Sequence, residues 1–105
     1  MPEKQYIYRL SEVDRAIIRQ DRSGRRVISF SVQLEVLIRG QWHKAMRYDS
    51  SEGQPHRHIF YPDGTEYREV MATSDNNEAF TEAQGVINGS FDAIHQRYVM
   101  FKERM

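Results

Sequence analysis

The 105-residue chain has no cysteine. That excludes a disulfide framework, a thiolate nucleophile and any cysteine-ligated zinc or iron–sulfur centre. It has no apolar run approaching the ~20 residues that span a bilayer. Its first residues, Met1 to Gln5, form no hydrophobic signal region, so a cytoplasmic protein without membrane contact is expected. It also lacks the net charge that would draw a whole chain to nucleic acid or an acidic membrane, since 15 basic residues balance 15 acidic ones. No glycine-rich phosphate loop, nucleophile elbow, internal repeat or low-complexity tract is present, and no cofactor is implied. Residues 1–105 are expected to form one domain around one core.

What is present is strongly patterned. From Val27 to Ile38, the residues Ile28, Phe30, Val32, Leu34, Val36 and Ile38 alternate with Ser29, Ser31, Gln33, Glu35 and Leu37. Strict period two means a strand with one buried face and one largely polar face, in an antiparallel sheet covered on one side. Val13 to Gln20 precedes it, joined through the hairpin connector Asp21-Arg22-Ser23-Gly24. Gln5 to Leu10 reads as a further edge strand. Arg39-Gly40-Gln41 then leads into Trp42 to Asp49. A three-residue loop sets Ile38 opposite Trp42 and Leu34 opposite Met46. It puts Trp42, Met46 and Tyr48 on the core face and His43, Arg47 and Asp49 on the polar one. A two-residue loop reverses the assignment. The three-residue loop is expected because it buries Trp42. Beyond the polar loop Ser50 to Pro55, His56 to Tyr61 and Thr65 to Met71 form a hairpin around Pro62-Asp63-Gly64. In that turn proline presets φ, aspartate bonds its own backbone and glycine accepts positive φ.

The remainder reads as a helix from Asn76 to about Glu103, opened by a capping-box-like pair, Asp75 and Glu78. Phe80, Ala83, Ile87, Phe91, Ile94, Tyr98 and Phe101 recur at spacings of three and four, giving one apolar stripe. Gly85 and Gly89 each cost about 1 kcal/mol against alanine and are read as permitting close packing. The helix is roughly 40 Å long, against ~25–33 Å for a strand of eight to ten residues. Its last turns are therefore expected either to overhang and offer Tyr98, Met100, Phe101 and Met105 to a second subunit, making a homodimer through the C-terminal helix, or to end bent or frayed. The fold class expected is α+β: an antiparallel sheet of four to six strands with one long C-terminal helix packed on one face.

Chemistry concentrates in one strand–loop–strand connection, Arg47-Tyr48-Asp49 followed by Gly53-Gln54-Pro55-His56-Arg57-His58. The candidate catalytic cluster is His56, His58, Arg47, Arg57 and Asp49. Three readings compete. His56, His58 and Asp49 form a two-histidine, one-carboxylate metal set. Alternatively, one imidazole takes a proton and the other gives one while Arg47 or Arg57 holds phosphate charge, the equipment of metal-independent RNA cleavage. The plainer alternative is a cross-strand Arg47–Asp49 ion pair beside solvent-facing histidines. Arginine supplies 12 of the 15 basic residues. Five of them, Arg15, Arg19, Arg22, Arg25 and Arg26, lie close together as a candidate binding patch for phosphate or carboxylate, or as a charged hairpin edge. His95 has no carboxylate at metal-binding spacing and reads as a surface residue.

Gln41-Trp42, Arg47-Tyr48-Asp49, Gly53-x-Pro55-His56-Arg57 and Pro62-Asp63-Gly64 together resemble a family of roughly hundred-residue prokaryotic proteins classed as a domain of unknown function. The similarity runs from the first hairpin into the helix. In that family the residue after His-Arg is often aspartate; here it is His58, so His56 and Arg57 carry the match. A looser similarity, limited to the Arg-Tyr-Asp run and the Pro-His cluster, is to TumE-type toxins of bacterial toxin–antitoxin pairs. It implies an RNA-directed toxin held by a small helix-turn-helix antitoxin. A binding or interaction domain using its open sheet face or its helix ranks first, a ribonuclease-like toxin second, and a metal or small-ligand protein third.

Overall fold

A computed structural model describes residues 3–51 and 53–105. Six strands, β1 (Lys4–Arg9), β2 (Asp14–Ser23), β3 (Arg26–Ile38), β4 (Gln41–Asp49), β5 (His56–Phe60) and β6 (Glu66–Val70), are followed by one helix, α1 (Asn76–Glu103). The strands pair antiparallel in sequence order, and the helix covers one face, making an α+β fold. The period-two pattern carries straight through. Phe30, Val32, Leu34 and Val36 of β3, with Ala16 and Ile18 of β2, are buried beneath Ala79, Phe80, Ala83, Ile87, Ile94 and Tyr98 of α1. Phe30 and Phe80 meet with ring centroids 5.5 Å apart.

The helix start is pinned twice. The Glu78 N–H donates to the Asp75 carboxylate at 3.0 Å. The return half of the expected box is replaced: the Thr73 hydroxyl accepts from the Asp75 N–H and donates to the Glu78 carboxylate. Asn76 and Asn77 then bond the backbone of Ile28, Val27 and Arg25, tying the first turn to the start of β3. Near the far end of the helix, His95 Nδ1 lies 2.7 Å from Asp14 Oδ1 at the start of β2. His95 is thus a clasp between layers, not a free surface residue.

Three expectations need correction. The β3–β4 loop has two residues, because Arg39 and Gly40 both adopt positive φ (52° and 79°), the signature of a tight hairpin turn. Ile38 therefore faces Gln41, and Leu37 faces Trp42, which puts Trp42 on the open face and His43 beneath the helix, 6.0 Å from the Tyr98 ring. A bulge at Ala45 then restores the expected pairing of Leu34 with Met46. From Met46 onward the predicted sides hold. Second, β3 is 13 residues long, longer than the strand used to infer an overhang. Tyr98 is buried, and Phe101 packs on Tyr61 at 5.1 Å. Met100 and Met105 alone of the expected dimer residues are largely exposed. Third, Gly85 and Gly89 are exposed, and a Cβ at either would meet no neighbour within 4 Å. Among the described residues nothing packs closely on them.

Candidate functional site

Alternation beyond the Ala45 bulge decides which side chains reach the uncovered face. Asp49 pairs with His56, and Arg47 with His58, so all four project to that side. On β6, Arg68 stands opposite His58 and Glu66 opposite Phe60, on the same face. Arg57 falls between the histidines and must point the other way. There it pairs with Glu69 and lies against Tyr48. Burial pushes the Tyr48 hydroxyl above its ordinary titration range, and the Arg57 hydrogen bond only partly offsets this. Arg57 is therefore separated from the other four candidates by the thickness of the sheet.

On the open face three of those four, Arg47, Asp49 and His58, meet Glu66 in a chain. Arg47 Nε donates to Asp49 Oδ2 at 2.8 Å. His58 Nε2 lies 3.3 Å from the same carboxylate oxygen, and its Nδ1 lies 2.5 Å from Glu66 Oε2. His58 also stacks on Phe60 with ring centroids 6.0 Å apart, and Lys44 and Arg47 lie over Phe60 at 4.4 and 5.3 Å. These neighbours bury Asp49 and His58, each 5 % exposed, on a face no helix covers.

The electrostatics follow from the partners. Burial works against ionisation of Asp49, but the Ser51 hydroxyl and N–H, His58 and Arg47 together outweigh it and hold the carboxyl below its usual range. Glu66 is held low chiefly by its hydrogen bond with His58. His56 stands apart from the chain: its ring centroid is 6.4 Å from that of His58, and its Nδ1 is buried without a hydrogen-bond partner among the described residues.

Beside Arg47 and Asp49 the face dips into an open recess of about 430 Å³, whose lining includes Arg19, Ser29, Ser31, Arg47, Asp49 and Ser51. Only part of the arginine-rich stretch reaches this side. Arg15 pairs with Glu35 at 2.6 Å and stacks over Trp42 at 4.2 Å. Arg19 donates to Gln5 at 3.0 Å and lies 3.9 Å from Glu3. Arg22 points beneath the sheet, over Phe80 at 5.8 Å. Arg25 and Arg26 sit at the β2–β3 turn. The five do not form one patch.

Among the described residues, no group of three histidine, aspartate or glutamate side chains is arranged to hold a metal ion, and no helix is long and apolar enough to cross a membrane. Sequence reasoning missed Glu66 and the serines of the recess. Glu66 becomes a neighbour of His58 only through the length of the Pro62-Asp63-Gly64 turn. The turn sets Glu66 opposite Phe60 and so diagonal to His58. The chain belongs to the family described as a domain of unknown function (DUF7718), whose model matches residues 1–103. No curated protein and no solved structure matches it.

Proposed function

We propose that this domain is a binding module that holds a small phosphate- or carboxylate-bearing ligand on its open sheet face, in the recess between Arg19 and Arg47. One observation carries the reading. The ionisable groups beside the recess are already spent on one another, since His58 contacts a carboxylate at each nitrogen and Arg47 is bonded to Asp49. Groups so paired are poor proton shuttles but hold a rigid, polar wall. The recess adds the hydroxyls of Ser29, Ser31 and Ser51 and the guanidinium of Arg19. Guanidinium forks and hydroxyls match planar or tetrahedral oxyanions. The test is amide chemical-shift mapping with inorganic phosphate, adenosine monophosphate and citrate as probes. At least one should move Ser29, Ser31 and Ser51, and Arg19→Ala should abolish the response. No probe shifting these residues would overturn the reading.

A second reading has its own support. Among the described residues, His56 Nδ1 has no hydrogen-bond partner, and His56 is the imidazole of the pair that no carboxylate ties down. That favours a metal-independent ribonuclease, in which His56 moves a proton and Arg47 faces phosphate, as the TumE-like motif implies, with RNA as substrate and a small antitoxin as partner. Purified protein that cleaves single-stranded RNA, with the activity lost in His56→Ala, would establish this reading over the first.

A further inference from the structure

Among the described residues no further strand pairs with either edge of the sheet, β1 or β6, and the edges differ in kind. β1 carries Lys4 and Arg9 but no acidic residue, so no register against a second copy of itself opposes unlike charges. β6 reads Glu66-Tyr67-Arg68-Glu69-Val70. Its inward backbone groups are fixed by two bonds: the Thr65 C=O accepts from the Tyr61 N–H, and the Met71 N–H donates to the Pro55 C=O, each at 2.9 Å. By alternation Tyr67 and Glu69 also bond toward β5. The backbone groups of Glu66, Arg68 and Val70 are left directed outward.

We infer that β6 is a self-association edge, on which two copies of the chain join antiparallel about a two-fold axis at Tyr67. The two six-stranded sheets then become one continuous sheet. In this register Glu66 of each copy stands opposite Arg68 of the other. Both are outward-bonding positions, so the new ladder and two unlike-charge pairs coincide. Tyr67, 49 % exposed in the single chain, meets its own copy across the axis. That is a non-hydrogen-bonded pair, where facing side chains come closest. The next register, centred on Arg68, sets arginine against arginine and Glu66 against Val70, and is disfavoured. Pairing β1 with β6 would be head-to-tail and would propagate instead of closing. Because Glu66 already lies 2.5 Å from His58, the second copy brings its Arg68 to the end of the Arg47–Asp49–His58–Glu66 chain. The edge is thereby joined to the candidate site.

Sedimentation velocity of the full chain, from micromolar to several hundred micromolar, tests this. The wild type should show a concentration-dependent dimer. Arg68→Glu places glutamate against Glu66 and should weaken association roughly tenfold or more. Adding Glu66→Arg to that variant should restore it. Arg68→Pro removes an outward donor at an edge position where proline is tolerated, and should give a folded monomer by circular dichroism. A wild type that stays monomeric throughout would overturn the inference. So would a dimer that survives Arg68→Glu and Arg68→Pro but is dissociated by Phe101→Glu, which would move the interface to the helix.

Discussion

Replacing His95 with alanine tests how the helix is held to the sheet. Asp14 is 2 % exposed. One of its carboxylate oxygens faces His95 Nδ1 at 2.7 Å, and the other accepts from the Ser11 hydroxyl at 2.7 Å. His95→Ala leaves this buried carboxylate with a single hydroxyl. Leaving a buried carboxylate short of one hydrogen-bond partner costs ~1–3 kcal/mol, and more because the acceptor is charged. The His95 side chain keeps some water contact, at 17 % exposed, and the expected loss is about 3 kcal/mol. At about 4–8 °C per kcal/mol for a domain of this size, the midpoint should fall by roughly 12–24 °C. Urea denaturation of wild type, Asp14→Ala, His95→Ala and the double variant, followed by circular dichroism at neutral pH, gives the coupling directly. The double variant should be less destabilised than the sum of the singles. A His95→Ala loss under ~0.5 kcal/mol, the range of ordinary surface changes, or a coupling energy of zero, would refute the clasp.

Acid should weaken the fold through the open-face chain. Asp49 and Glu66 both titrate below their ordinary ranges in the folded protein. The native state therefore binds fewer protons there than the unfolded chain does. Their contribution is complete above the unfolded titration near pH ~4 and is lost as pH falls through the depressed folded values. Urea midpoints measured from neutral pH into the acid range should fall less steeply in His58→Gln than in wild type, and equal slopes would exclude His58 as the cause. Gly85→Ala and Gly89→Ala should each stabilise the chain by about 1 kcal/mol, because both glycines are helical and a Cβ would meet nothing within 4 Å. A loss of stability in the same urea assay would mean that this helix surface is closely covered.

What could be read from the residues follows the strength of each local rule. The β3 alternation and the α1 stripe are long, so no single loop can undo them, and both layers were legible. The β3–β4 turn is short and undetermined. Trp42 fits either side of a hairpin by hydrophobicity alone, and burying it argued for the wrong loop. The actual turn relies on Arg39 at positive φ, a conformation uncommon outside glycine, asparagine and aspartate. It leaves Trp42 under the guanidinium groups of Arg9 and Arg15, a cover that sequence pattern does not reveal. Arg47 and Asp49 were still assigned correctly, since the Ala45 bulge cancels the loop error before they are reached. Arg57 was grouped with its neighbours by proximity in sequence, although strand alternation separates it from His56 and His58. Glu66 and the Asp14–His95 clasp depend on turn length and helix placement, so they emerge only in three dimensions.

Among the described residues two buried carboxylates contact an imidazole, Asp14 and Asp49, and they differ in what stability requires of them. The Asp14–His95 pair joins helix to sheet and makes structural sense wherever it lies. The Asp49–His58 contact joins neighbouring strands already bonded through their backbones, on a face that solvent reaches. Backbone pairing there needs no buried charge. Replacing buried ion pairs with well-packed apolar groups is often neutral or stabilising, and Phe60 shows that an aromatic fits this surface. Stability alone therefore gives little reason to keep a carboxylate and an imidazole at these positions. That contrast, with the adjoining recess, favours a ligand over the Arg47–Asp49–His58–Glu66 chain and against one at the helix clasp.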